Sequence, residues 1–159
     1  MIRLAAMDVD GTLTDGGIYM DGSGGEFKKF HVRDGYGIAK MLHLGIEVAF
    51  ISGRYSKATD RRAEELGVTR VFNGTADKLA GLASIADEIG ARPSEVAFIG
   101  DDIQDIPCME WSGLGVAVGD AADEVKAAAD IVTAASGGAG AVREAAEHII
   151  RYNMPGGVK

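Results

Sequence analysis

Asp8 and Asp10 stand one residue apart where a short apolar run, Leu4 to Met7, gives way to Asp8-Val9-Asp10-Gly11-Thr12-Leu13-Thr14-Asp15-Gly16. Side chains two apart on a strand share a face, so these carboxylates repel unless a cation neutralises them or one keeps its proton. A second acidic cluster, Gly100-Asp101-Asp102-Ile103-Gln104-Asp105, follows another apolar run, Val96 to Ile99. Two such clusters on one sheet edge offer the hard oxygen ligands that Mg²⁺ takes, with positions left for water and a phosphate oxygen. Ile51-Ser52-Gly53-Arg54 adds a hydroxyl and an unobstructed backbone N–H, and Asn73-Gly74-Thr75-Ala76-Asp77-Lys78 puts an ammonium near a helix start. Singly, each feature has an ordinary structural explanation. In this order along the chain they make a phosphate and metal site with no part missing.

That reading requires elements that bring the four segments to one edge. Leu4 to Met7, Glu47 to Ile51, Val96 to Ile99 and Leu114 to Val118 are short and rich in Val, Ile, Leu and Ala, as buried parallel strands are. Gly35 to Leu44, Ser56 to Leu66, Ala76 to Ile89, Ala121 to Ala129 and Ala139 to Ile150 carry apolar residues at helical spacing. The alternation predicts a doubly wound, Rossmann-like α/β sheet, mainly parallel, in one domain over residues 1–159. Ligands of such sheets bind beyond the carboxyl ends of the strands, where the polar segments fall. Residues 16–32 break the rhythm with two strand-like runs around a Gly-rich turn, and predict a β-hairpin after strand one.

Composition narrows the class. Hydrophobic residues make up 47% and charged residues 25% of 159, as in a soluble globular chain, and no apolar stretch is long enough to span a bilayer. With no leader of secretory type at Met1 to Asp8, the expected compartment is the cytoplasm. Cys108 is the only cysteine, which excludes an intramolecular disulfide and suits a packing role. A net charge of −8 opposes binding to nucleic acid or anionic lipid, so an anionic substrate needs a local site. Phe98, Trp111 and the methionines are expected in the core, and His43 and His148 on helix surfaces or in packing.

The segments Asp8 to Gly16, Ser52, Lys78 and Gly100 to Asp105 resemble the four motifs of the haloacid dehalogenase superfamily. The short length, the hairpin and the tail Gly137-Gly138-Ala139-Gly140-Ala141-Val142-Arg143-Glu144 are similar to its capless branch, which includes the octulosonate 8-phosphate phosphatases. The resemblance implies a phosphatase without a cap domain, in which Asp8 is the nucleophile and Asp10 the general acid and base. It implies Mg²⁺ on the carboxylates of Asp8 and Asp101 and the backbone carbonyl of Asp10. Thr12, Ser52, Gly53 and Lys78 would bind phosphate. Asp102 and Asp105 would stand behind the ligands, Asp105 holding metal-bound water or orienting Lys78, and Asp102 serving equally well as a helix N-cap.

The same resemblance implies a phosphorylated sugar acid as substrate and a homotetramer whose hairpins and mobile tails, here about residues 151–159, close each other's sites. Arg54 and Arg62 suit the sugar carboxylate, because guanidinium pairs with carboxylate through two hydrogen bonds. Arg54 stands where octulosonate enzymes carry arginine and nonulosonate 9-phosphate enzymes glutamate, which favours the eight-carbon acid. His31 on the hairpin and Arg143 beside the Gly-rich turn are further candidates for substrate contact, Arg143 alternatively for a neighbouring subunit. The rival readings are a nonulosonate 9-phosphate or other sugar phosphatase and, in a different class, a phospho-receiver signalling domain. A receiver holds its acid pair and its phosphoacceptor on different strands, whereas here both belong to the first.

Overall fold

A computed structural model describes residues 1–154. Six parallel strands form one sheet in the order β5-β4-β1-β6-β7-β8. They are β1 (Leu4–Met7), β4 (Glu47–Ser52), β5 (Arg70–Asn73), β6 (Val96–Gly100), β7 (Leu114–Ala117) and β8 (Ile131–Val132). The antiparallel pair β2 (Tyr19–Met20) and β3 (Glu26–Phe27) stands apart from this sheet as the expected hairpin. β1 is Leu-Ala-Ala-Met with every side chain buried, and its neighbours β4 and β6 are nearly as apolar. Such strands lie in the middle of a sheet covered on both faces.

The covering helices are α1 (Val32–His43), α2 (Lys57–Leu66), α3 (Lys78–Glu88), α4 (Ile106–Trp111), α5 (Asp123–Ala128) and α6 (Ala141–Tyr152). α1 packs along α6, while α3 and α4 pack on each other and on the sheet. Local chemistry fixes their ends. Ser56 caps α2 by accepting from Ala58 N, Asp77 caps α3 by accepting from Ala80 N, and α2 stops at Gly67. The buried Asp34 of α1 accepts from Arg143 N at 2.9 Å and so caps α6 from outside. Burial raises the pKa of its carboxyl, with the donated backbone hydrogen bonds opposing.

The chain runs from β1 outward to β4 and β5, then returns across β1 to β6, β7 and β8. The reversal places the ends of β1, β4 and β6 around one crevice, the usual ligand position in an open α/β sheet.

Some expectations need correction. Met1, Met20 and Met154 are exposed rather than core, whereas Met7, Met41 and Met109 are buried. Trp111 is only partly buried against the core; Phe98 and Cys108 are fully buried. Burial, with the charge of Asp105, pushes the Cys108 thiol up to about 12, consistent with packing. Arg151 and Tyr152, placed in the expected tail, form the end of α6; residues 155–159 lie outside the described residues. No helix among the described residues is long and apolar enough to cross a membrane.

Candidate active site

The β1 loop is built on hydrogen bonds from its own backbone. Asp8 N donates to Ile99 O at 3.0 Å, extending the ladder to β6, and Val9 O then accepts from Leu13 N at 2.9 Å and Thr14 N at 3.1 Å. Thr14 Oγ1 accepts from Gly11 N and Gly16 N, closing the loop. Gly11 has φ +91°, and a Cβ there would overlap the Asp101 carboxylate, so both backbone sign and space demand glycine. From the far end of the chain, Gly138 N donates to Thr12 O at 3.1 Å. Gly137 lies so close that a Cβ would overlap the carbonyl oxygen of Gly11, and its N–H donates to Asp120.

Lys78, the first residue of α3, is the centre of charge. Its Nζ donates to Asp8 Oδ1 at 2.7 Å and to Asp105 Oδ1 at 2.8 Å. Burial opposes its charge, but the two carboxylates outweigh it and hold the pKa above the usual lysine value. The other Asp105 oxygen accepts from Asp101 N at 3.0 Å and Asp102 N at 3.2 Å. Asp105 therefore holds both the lysine and the β6 loop. Asp102 accepts from Ile103 N at 2.8 Å and caps the 3₁₀ turn Ile103–Asp105, one of its two expected roles.

Carboxylate oxygens of Asp8, Asp101 and Asp105 lie within 4.8 Å of one another. Burial and the Asp105 charge raise the Asp8 pKa well above the carboxylate range, despite Lys78. Burial, with Asp105 and Asp102 adding charge, pushes Asp101 up to about 6. One ammonium leaves negative charge uncompensated, which is the chemistry of a site for a hard divalent cation. Thr12, itself buried, donates to Asp101 Oδ1 at 3.2 Å and aims that carboxylate.

A cleft of about 400 Å³ opens over these groups, lined by Asp8, Asp10, Gly53, Arg54, Lys78, Asp102 and Gln104, among others. Ser52 is buried, and its hydroxyl donates to Arg54 O at 2.8 Å while accepting from Arg54 N, so it shapes the loop that presents Gly53 and Arg54. Three other candidates are not among the groups lining this cleft. Nδ1 of His31 accepts from Arg33 N at the start of α1. Arg62 lies over the Phe30 ring and pairs with Glu65, and Arg143 lies over Tyr36 and pairs with Glu147.

Sequence reasoning missed the hairpin's own charged residues. Lys28, with 2% of its side chain exposed, is ion-paired to Asp10 and lies 3.5 Å from Glu26, which in turn clasps Arg54. On the hairpin's sequence these read as surface charges, since nothing local shows that β3 folds back to the end of β1.

The model of the haloacid dehalogenase-like hydrolases matches residues 67–145. The 3-deoxy-D-manno-octulosonate 8-phosphate phosphatase of Escherichia coli K12 is 46% identical over 149 residues, which cover 94% of this chain and 79% of that protein. This chain belongs to the octulosonate 8-phosphate phosphatase family. Its solved relatives share the fold closely. The Yersinia pestis phosphatase superposes with a TM-score of 0.92 at 45% identity, over 94% of this chain and 80% of the other. A Moraxella catarrhalis octulosonate 8-phosphate phosphatase, in complex with magnesium, phosphate and KDO, gives 0.91 at 42% identity, over 94% and 86%. A phosphatase of this family turns substrate over, so the receiver reading is set aside.

Proposed function

We propose that this protein hydrolyses 3-deoxy-D-manno-octulosonate 8-phosphate to the free sugar acid and phosphate. The observation that carries the reading is the set Asp8, Lys78, Asp101 and Asp105, tied together by hydrogen bonds and close carboxylates, with Asp8 and Lys78 lining a cleft that Arg54 also lines. Asp8 Oδ attacks phosphorus while the bond to the sugar's 8-oxygen breaks, giving an aspartyl phosphate. Asp10 gives its proton to the departing oxygen, then takes one from the water that releases phosphate. Lys78 places a full positive charge beside the attacking carboxylate and against the transferring group. Gly53 offers its N–H to the same oxygens, and Ser52 and Thr12 hold the loops that frame the phosphate.

Mg²⁺ would be held by the carboxylates of Asp8 and Asp101 and the backbone carbonyl of Asp10, where it would neutralise charge on nucleophile and phosphate. Asp105 orients Lys78, and Asp102 caps the turn behind them.

Arg54 would take the carboxylate of the sugar acid. A homotetramer in the cytoplasm completes this reading: Ile18, Met20 and Phe27 on the hairpin and Tyr36 on α1 are exposed apolar surface suited to burial between copies. Arg62, Arg143 and His31 would then act at the junction of subunits. The test is phosphate release from 3-deoxy-D-manno-octulosonate 8-phosphate, with a nonulosonate 9-phosphate for comparison, using Mg²⁺, EDTA and Asp8→Asn. Multiple turnover that both controls abolish supports the reading. Preference for the nine-carbon acid would overturn the substrate, and silence of the metal-loaded enzyme the activity.

A further inference from the structure

Arg54 lines the cleft, yet it is already engaged. Its two terminal nitrogens donate to the two carboxylate oxygens of Glu26, at 2.8 and 2.5 Å. This paired geometry is the one guanidinium uses for any carboxylate, a substrate's included. Glu26 reaches it from β3, which follows a turn tied by Asp21 to Ser23 N and Gly25 N, so the hairpin presents the carboxylate from a defined position. On its other side Glu26 lies 3.5 Å from Lys28 Nζ, whose side chain is 2% exposed and which is also paired to Asp10.

We propose that Glu26 is a specificity-determining residue, an internal carboxylate that occupies Arg54 until the carboxylate of an incoming sugar acid displaces it. The inference rests on the reading that Arg54 receives a sugar acid. A ligand with its own carboxylate exchanges one paired contact for another, and displaced Glu26 retains Lys28 as a partner. A sugar phosphate lacking the carboxylate has nothing to exchange, meets a closed ion pair at the cleft, and gains nothing from Arg54. Glu26 therefore lowers the affinity for carboxylate-bearing sugar phosphates selectively and leaves that for sugar phosphates without a carboxylate unchanged. Arg54 has 45% of its side chain exposed, so the competition is solvent-screened and its effect modest.

The experiment compares wild type, Glu26→Gln and Glu26→Ala in steady-state kinetics on 3-deoxy-D-manno-octulosonate 8-phosphate and on ribose 5-phosphate. Calorimetric binding of the free octulosonate supplies a readout independent of turnover. Freed of its competitor, Arg54 should bind the acid more tightly: the KM for the octulosonate should fall about two- to fivefold relative to that for ribose 5-phosphate. The free acid should bind more tightly by the same factor. A relative KM that stays put, or rises because Glu26 orients Arg54, overturns this inference alone. Wild-type turnover of ribose 5-phosphate but not of the octulosonate would overturn the substrate reading and the inference together.

Discussion

Replacing Lys78 by methionine keeps the volume of the side chain and removes its charge. The ammonium lies 2.7 Å from Asp8 and 2.8 Å from Asp105, whose side chains are 7% and 0% exposed. Without it Asp8 and Asp105, with carboxylate oxygens within 4.8 Å of each other, lose the cation between them. At an effective dielectric of about 20, unit charges at that separation repel by about 3 kcal/mol, in line with the ~3–5 kcal/mol lost when one partner of a buried pair is removed. A domain of ordinary stability, roughly 5–15 kcal/mol, would survive that loss and remain measurable. The penalty must depend on pH. Asp8 and Asp101 already have raised pKa values in the folded protein, and loss of Lys78 raises that of Asp8 further. For an acid whose folded pKa lies above its unfolded value, stability is complete below the unfolded value and falls as pH rises toward the folded one. Urea unfolding in EDTA should therefore show Lys78→Met losing about 3 kcal/mol at pH 8 and clearly less at pH 5, with Mg²⁺ restoring part of the difference. Phosphate release should fall by about 10²–10³, as when one preorganised donor is removed from a developing charge. An equal loss of stability at both pH values, or a kcat within threefold of wild type, would refute this account of Lys78.

Two further outcomes follow from the same cluster. Gly11→Ala should weaken Mg²⁺ binding by about 10- to 100-fold in calorimetry, because the added methyl displaces the Asp101 carboxylate; unchanged metal affinity would contradict the packing. With the Asp101 pKa pushed up to about 6, protons compete with metal below that value, so Mg²⁺ should bind at least about tenfold more weakly at pH 5 than at pH 7.5. A dissociation constant independent of pH over this interval would count against that shift.

The chemistry was legible because the acids, the Ser-Gly-Arg turn and Lys78 each end or follow an element with a clear hydrophobic period. The expected strand at Leu4 to Met7 is the observed β1, and Glu47, Val96 and Leu114 open β4, β6 and β7 as expected. β5 and β8 were not foreseen. Arg70–Asn73 at one sheet edge is half-buried throughout, and Ile131–Val132 at the other is two residues long, so neither shows a period. Helix α4 escaped because six residues opening on Ile106-Pro107 are too few to display an amphipathic face. Glu26 and Lys28 escaped for a different reason: their meaning depends on a contact between the hairpin and the β1 and β4 loops, which no local pattern encodes. Arg62 and Arg143 had plausible chemistry but lie over aromatic rings instead of lining the cleft.

The brace of Gly137 and Gly138 against the β1 loop bears on the order in which the molecule is made. Asp8 and Asp10 are made when β1 alone of the sheet precedes them, but the turn that fixes their loop follows every strand of the sheet. A growing chain thus carries its reactive carboxylates long before their loop can be held in working shape. Activity should switch on only when synthesis has passed the Gly-rich turn, and fragments that stop short of it should be inert, however much of the sheet they contain.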